Sequence, residues 1–434
     1  MMCADDHLSC FLVMGIIRHI FEDRHQVVAV VGGSVAEYTA FETYTDYGIF
    51  DCDQHIYEPV DCYTGWIEKK YADRTLRIVQ RDGEELFMAQ DRQIQLDNKV
   101  DECYRPGSLK EMLKSMKAGA DQGGYQWMTM DPAFLDRDLR LAQMDRQHVD
   151  AAVLFSGSMG LFAEHFLTDD DVYWASSWAY LRWMEEVWGF GAEGRIFTSP
   201  TISMRDVTKA CEQLDWLFAR GCKAISICPG PAYGRSPGDP HFDPFWARIE
   251  EAGAVVCYHI NEAMPGYKAS RSGMWGQEED PTFYTQSAWQ WAWAYGDQPA
   301  METFSALIYD NVFGRFPNLR ILSAEHGAEW VPGLLTKMDK MRGMGRNGRW
   351  IGGQLAERPS TTFKRNFRVV PYWEDDLTSV LEATGTDVVI GGSDFPHSEG
   401  LAFPTQLVDH LGMLSHEQQR FVMRDNAMQL FGLV

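Results

Sequence analysis

No run of this chain approaches the ~20 apolar residues that a helix needs to cross a bilayer, so a membrane-spanning protein is not expected. No C-x-x-C pair occurs, and the nine cysteines are scattered and odd in number. That pattern reads as reduced thiols in a cytoplasmic protein, not as a disulfide framework. Basic residues are scarce: 39 Lys and Arg stand against 62 Asp and Glu, for a formal net charge of −23. Non-specific nucleic-acid binding needs clustered cations, so the charge argues against that class. The first residues lack the features of a signal peptide. Met1 to Ser9 is acidic, the apolar stretch Cys10 to Ile17 is short, and no small-residue cleavage site follows. There is no internal repeat, no low-complexity tract, and no G-x-G-x-x-G placed to seat a flavin or nicotinamide.

Aromatic residues, by contrast, are plentiful: 15 Trp, 17 Tyr and 24 Phe, in a chain that is 45% apolar. They suggest a deep aromatic-lined cavity or a large subunit interface, and a homodimer is expected. From Tyr47 onward, short apolar or β-branched runs alternate with longer helical patterns, the signature of repeated βα units and a parallel sheet. The strand candidates are Gly48–Asp53, Ala151–Phe155, Ile196–Ile202, Lys223–Cys228, Ala254–His259, Arg320–Glu325, Phe367–Pro371 and Asp387–Gly392. Helices are expected between most of them, at Leu135–His148, Val172–Trp188, Met204–Arg220, Phe242–Ala252, Trp330–Met341 and Asp375–Thr384. Eight strands predict an α/β fold, a (β/α)8 TIM barrel over residues 47–434. Residues 1–46 form an N-terminal extension. Two insertions, about 63–130 after the first strand and 262–300 after the fifth, break the rhythm. In such barrels the loops after the strands build the active site, so both insertions should wall or cover it.

The chemistry-bearing residues fall at the ends of these strands. The first strand runs into Asp51-Cys52-Asp53-Gln54-His55-Ile56-Tyr57-Glu58-Pro59. Residues two apart share a face of a strand, so Asp53 and His55 can project into one site, with Glu58 folding back from the loop. Such a mixture suits a hard-to-borderline divalent metal such as Fe, Mn or Zn. A D-x-H pair alone is more often a cap or a surface feature. The fifth strand ends at His259, either a ligand or a core histidine bonded to main chain. The sixth ends Ser323-Ala324-Glu325-His326, where alternation puts Ser323 and Glu325 on the polar face and favours Glu325 over His326 in the mouth. An arginine partner for Glu325 is the alternative. The eighth ends Gly391-Gly392-Ser393-Asp394-Phe395-Pro396-His397-Ser398-Glu399, so that Asp394 and His397 can face one point from strand and loop.

Together these motifs, with Phe313 to Pro332, resemble the amidohydrolase-related (amidohydrolase 2) group of TIM barrels, from about Asp51 to the C-terminus. That group includes hydrolases and non-oxidative decarboxylases. The resemblance implies Asp53, His55, His259 and Asp394 as ligands of one metal. The chain departs from the hydrolase pattern by placing Asp where many hydrolases have the first His of H-x-H. Lys223 begins the fourth strand instead of ending it, which argues against a carboxylated lysine bridging two metals. Glu58, Glu325 and His397 extend the donor set to seven. That set resembles a branch of the family, the nonheme diiron monooxygenases of bacterial diterpenoid biosynthesis, acting on bulky, CoA-linked substrates. The resemblance implies two iron ions, O2, a hydrophobic acyl or CoA-linked substrate and an external electron donor.

Two further stretches fit a thioester substrate. A basic region from Lys337 to Arg368 could hold phosphates, and the Trp-rich segment Ala288–Tyr295 could wall a hydrophobic group. Each also has a plain reading, as a solvated helix face and as a dimer interface. The rival function is a mononuclear Zn2+ or Mn2+ hydrolase or decarboxylase, with His326 or Glu399 as general acid or base. A scaffold that has lost its chemistry is disfavoured, because unpaired carboxylates crowded together repel.

Overall fold

A computed structural model of the chain describes residues 42–81, 84–94, 102–109, 114, 127–260, 264, 266–279, 281 and 285–434. Most of the expected N-terminal extension, residues 1–41, lies outside them. Strand β1 (Ile49–His55) is buried at every position. It pairs in parallel with β7 (Val149–Phe155), which pairs with β8 (Ile196–Ser199). A second parallel sheet has the order β12 (Phe367–Val369), β11 (Arg320–Ala324), β10 (Val255–His259), β9 (Ala224–Ser226).

Main-chain hydrogen bonds link the edges of the two sheets. Ser226 N donates to Pro200 O and Ile202 N donates to Ser226 O, both at 2.9 Å. On the other side, residues 389–395 run between β12 and β1. Ile390 N donates to Val369 O, Cys52 N to Gly391 O and His55 N to Phe395 O. The expected eighth strand, Asp387–Gly392, therefore holds its place only through isolated bridges. Its donors turn to different neighbours: Gly391 N bonds Val422 O instead of continuing a ladder. Gly392 is required here, because a Cβ would stand 2.5 Å from Val370 Cγ1 and 2.8 Å from Asp53 Cβ.

Between β1 and β7 stand two small antiparallel units. One is β2 (Arg77–Arg81), β3 (Glu84–Ala89) and β4 (Arg92–Ile94); the other pairs β5 (Glu102–Tyr104) with β6 (Trp127–Thr129). After β10 come the short helices Tyr267–Met274 and Ala288–Trp293. Helix starts follow local capping chemistry. Asp136, Asp169 and Asp206 each accept a main-chain N–H at the head of Arg137–Gln147, Asp170–Val187 and Val207–Phe218.

The core has two parts, one on each face of the strands. Phe50, Ala151, Phe197, Val255, Cys257, Leu322 and Ala324 pack together on one face. Ile49, Ala152, Val256, Tyr258 and Ile321 pack outward against helices carrying Trp183 and Trp246. This corrects the expected faces of β11. Leu322 and Ala324 lie among the inward residues of the other strands, while Ser323 points the other way.

Candidate metal centre

The first ligand pair owes its direction to a break in the β1–β7 register. Asp51 pairs with Ala152 and Gln54 with Leu154, three steps along β1 against two along β7. The extra residue is a bulge, which re-aims the side chains that follow it. Phe50 and Cys52 face inward before the bulge. After it, Asp53 and His55 reach one point, with Asp53 Oδ1 3.6 Å from His55 Nε2.

The other donors arrive from strand ends. His259, the last residue of β10, brings Nε2 to 3.1 Å from His55 Nε2 and to 3.6 Å from Asp53 Oδ1. Asp394 Oδ1 is 3.2 Å from His55 Nε2 and accepts from His397 Nδ1 at 2.8 Å. Glu325 Oε2 is 2.9 Å from His259 Nε2. Glu325 reaches the site by a different route from the one alternation suggests: β11 has ended at Ala324, and the chain turns at φ +54°. Asp394 also sits at positive φ, +55°. Side-chain-bearing residues seldom adopt that region, and such positions concentrate at functional sites.

Two sets of donors lie within metal-binding reach: Asp53, His55 and His259, and His55, Glu325, Asp394 and His397. Glu58 belongs to neither. Its Oε1 accepts from Tyr180 Oη at 2.8 Å and from Gly160 N at 3.2 Å, which ties it to the helices after β7. His326 is buried and its Nδ1 meets Ser323 Oγ at 3.0 Å, while Nε2 has no hydrogen-bond partner among the described residues. Glu399 lines the adjoining cavity and accepts from Ser398 Oγ at 2.7 Å.

The electrostatics are those of acids and imidazoles forced together away from water. Burial, reinforced by the Asp394 charge, pushes Glu325 up to about 7. Burial also lifts Asp394 to about 7, against the pull of His397. Asp53 goes the other way: burial opposes its charge, but His259 and His55, each 3.6 Å from Oδ1, hold it below the usual carboxylate range. His55 falls to about 4 through burial and then through His397. His397 rises to about 9 because Asp394 outweighs burial. Burial takes His326 down to about 3, with a further contribution from His259.

The donor set fits a divalent cation. Asp53 Oδ1 is buried without a hydrogen-bond partner among the described residues. The Nδ1 atoms of His55 and His259 face the main-chain oxygens of Ser156 and Ile260, at 3.4 and 3.0 Å. A proton on each Nδ1 leaves two Nε2 lone pairs pointing at one another, the tautomer of metal-bound histidine. Oxygen and imidazole donors suit manganese, zinc or iron.

Above these groups opens a cavity of about 480 Å3, walled by Tyr372, Trp373, Leu401 and Glu399, with Asp53, Glu325 and Asp394 at its metal-binding end. Tyr372 and Trp373 were missed in the sequence, although their place after the seventh strand is where barrel sites are built. None of the tryptophans of the Ala288–Tyr295 segment lines this cavity; Trp291 and Trp293 are exposed. The expected basic phosphate site is partly committed to the fold. Arg342 Nη2 donates to Leu355 O, Arg365 pairs with Glu357, and Arg368 Nε donates to Asn426 Oδ1.

A metal-capable cluster thus stands at the strand ends of a parallel α/β fold. Residues 50–433 match the amidohydrolase family, and the chain belongs to it. It is similar to an amidohydrolase from Mycobacterium avium subsp. paratuberculosis K-10, at 30% identity over 89% of this chain and 100% of that one, with a TM-score of 0.79. The fold is that of a TIM barrel. A 5-carboxyvanillate decarboxylase from Novosphingobium aromaticivorans DSM 12444, complexed with manganese and a hydroxy-methoxy-nitrobenzoic acid, shares the fold. Its identity is 17% and its TM-score 0.58, over 91% of this chain and 99% of that one. A 2-amino-3-carboxymuconate-6-semialdehyde decarboxylase from Dictyostelium discoideum is 25% identical over 209 residues, 46% of this chain. The chain spans about half, 51%, of that relative's length.

These relatives overturn the expected diiron monooxygenase. Two of the three are decarboxylases, and the metal in the solved decarboxylase is manganese. Two irons, O2, an electron donor and a CoA-linked substrate find no support among them. Among the described residues no helix is long and apolar enough to cross a membrane.

Proposed function

We propose that this protein is a metal-dependent, non-oxidative decarboxylase of small, flat, carboxylated substrates, working with one Mn2+ or Zn2+. The observation that carries this reading is a pair of donor sets sharing His55, one with Asp53 and His259 and one with Asp394, beside a cavity that Asp53 and Asp394 line together with Tyr372 and Trp373. Decarboxylase relatives support it. The cavity suits a single aromatic or conjugated acid better than a polycyclic thioester.

Asp53, His55, His259 and Asp394 would hold the metal. When bound, the metal supplies a Lewis acid that draws in the substrate's oxygen atoms and stabilises negative charge. The chain's own residues do the rest. Tyr372 and Trp373 present ring faces that would orient a planar substrate. Tyr372 is itself fixed, its Oη donating to Glu325 O at 2.6 Å. As the bond to the carboxylate breaks, its electron pair stays on carbon and a proton must arrive there. We assign the transfer to His326: burial keeps its imidazole neutral, so Nε2, with no hydrogen-bond partner among the described residues, would take a proton from water or substrate and pass it to that carbon, while Ser323 orients Nδ1. Glu399, held below its usual range by His397 against burial, remains an acceptor in the cavity wall. In this reading the barrel closes through residues 389–395, and the segments after β1 and β10 are the insertions around its mouth.

The test is turnover of a panel of hydroxylated benzoates and conjugated dicarboxylic acids by the manganese-loaded protein, read as CO2 release. Release from at least one member, abolished by chelator and restored by Mn2+, is expected. Cleavage of an ester or amide with no CO2 from any acid would favour the hydrolase reading instead.

A further inference from the structure

Asp51 stands in the first-strand motif without a role at the site so far, yet its carboxylate is fully engaged. Oδ1 accepts from Asp53 N at 3.2 Å and Ser393 N at 2.9 Å. Oδ2 accepts from Gln54 Nε2 at 2.8 Å and Ser393 Oγ at 2.5 Å. Asp51 is 1% exposed, so no water replaces these partners.

The four donors come from both sides of the seam between β1 and residues 389–395. Main-chain bonds from Cys52 N to Gly391 O and from His55 N to Phe395 O flank that seam. Between them the bulge in β1 disturbs the ladder, and the Asp51 carboxylate takes the N–H groups of Asp53 and Ser393. A buried N–H left unpaired costs about as much as a lost hydrogen bond. One side chain thus fixes the main chain at Asp53 and at the residue before Asp394. Arg140 braces the same strand, Nη1 donating to Gln54 Oε1 at 3.2 Å and Nη2 to His55 O at 2.7 Å.

The geometry points to Asp51, acting with Ser393, as the positioning pair that sets the separation of Asp53 and Asp394 and so the affinity of the metal centre. This rests on the reading of those two acids as metal ligands. Four donors converge on two oxygens, so an amide at position 51 turns an NH2 group against two of them. Loss of a partner behind a metal ligand typically weakens binding by roughly 10–100-fold.

The experiment is a Mn2+ titration of chelator-stripped protein followed by electron paramagnetic resonance, with thermal unfolding of the metal-free chains in parallel. Wild type, Asp51→Asn and Ser393→Ala are compared. Asp51→Asn is expected to bind Mn2+ about 10–100-fold more weakly, with an altered bound-Mn2+ line shape. Ser393→Ala keeps the Ser393 N bond and should fall between it and wild type. A purely structural role would lower the unfolding temperature and leave the affinity of the folded chain alone. Affinities of both variants within about twofold of wild type would overturn the proposal, well short of the outer-shell range. Should Asp51→Asn not fold, Ser393→Ala decides the matter on its own. Absence of Mn2+ and Zn2+ binding by the wild type is a different failure: it would remove the metal centre, and this role with it.

Discussion

The Nε2 atoms of His55 and His259 stand 3.1 Å apart, and each ring turns its Nδ1 toward a main-chain oxygen. The two strands that carry them are not neighbours: β1 pairs with β7, and β10 with β9 and β11. Only the curvature of the sheets brings the rings together. With Asp53 and Asp394 beside them, the two Nε2 atoms are placed to share a cation. That relationship organises the expectations below.

His326 should separate catalysis from metal binding. His326→Gln removes the imidazole but none of the four assigned ligands. Metal content is expected to stay at wild-type level while kcat falls by about 10²–10⁴-fold, the range of general acid–base loss. Elemental analysis alongside CO2 release checks this. Loss of metal in this variant would make His326 a ligand instead.

Glu58 should behave as a structural residue. Its carboxylate holds Tyr180 Oη and Gly160 N, so Glu58→Gln weakens two charge-assisted bonds. A stability loss of about 1–3 kcal/mol is expected, with metal stoichiometry unchanged. Denaturant unfolding and metal analysis of the same preparation read the two effects. A drop in bound metal would return Glu58 to the ligand set.

Gly392 offers a probe that leaves every donor in place. In Gly392→Ala the new methyl meets Val370 and the Cβ of Asp53, so β1 and residues 389–395 must separate. Overpacking of this kind costs about 1–3 kcal/mol. Because the displaced atom belongs to Asp53, Mn2+ affinity should fall as well. Equal affinity with reduced stability would show that the ligands tolerate the shift.

Much of the site was legible in the sequence because barrel chemistry sits at strand ends. Asp53, His55, His259 and Asp394 all follow apolar runs, and they fall in two donor sets that meet at His55. Glu325 and His397 join the cluster as well. What was not legible follows from local departures that period-two reasoning cannot see. Alternation through Phe50 and Cys52 would send Gln54 inward, and only the bulge delivers Asp53 and His55 instead. On β11 Leu322 and Ala324 face inward, and Glu325 still reaches the site because the strand stops at Ala324 and a positive φ redirects it. Glu58 sits seven residues from Asp51 in a donor-rich motif, yet a helix N–H and a tyrosine hydroxyl claim it. The eighth strand was found by its apolar content, but its two glycines and its bond to Val422 keep it from forming a regular ladder. The step from donor count to two irons failed for a simpler reason: carboxylates and imidazoles suit manganese and zinc equally well.

Metal stoichiometry tests the central claim most directly. Wild type, Asp53→Asn and Asp394→Asn would be purified without chelator, loaded with Mn2+ or Zn2+ and analysed for bound metal per chain. One equivalent in the wild type is expected, lost from both variants, with CO2-releasing activity lost in step. Two equivalents in the wild type, or full metal retained by either variant, would contradict it.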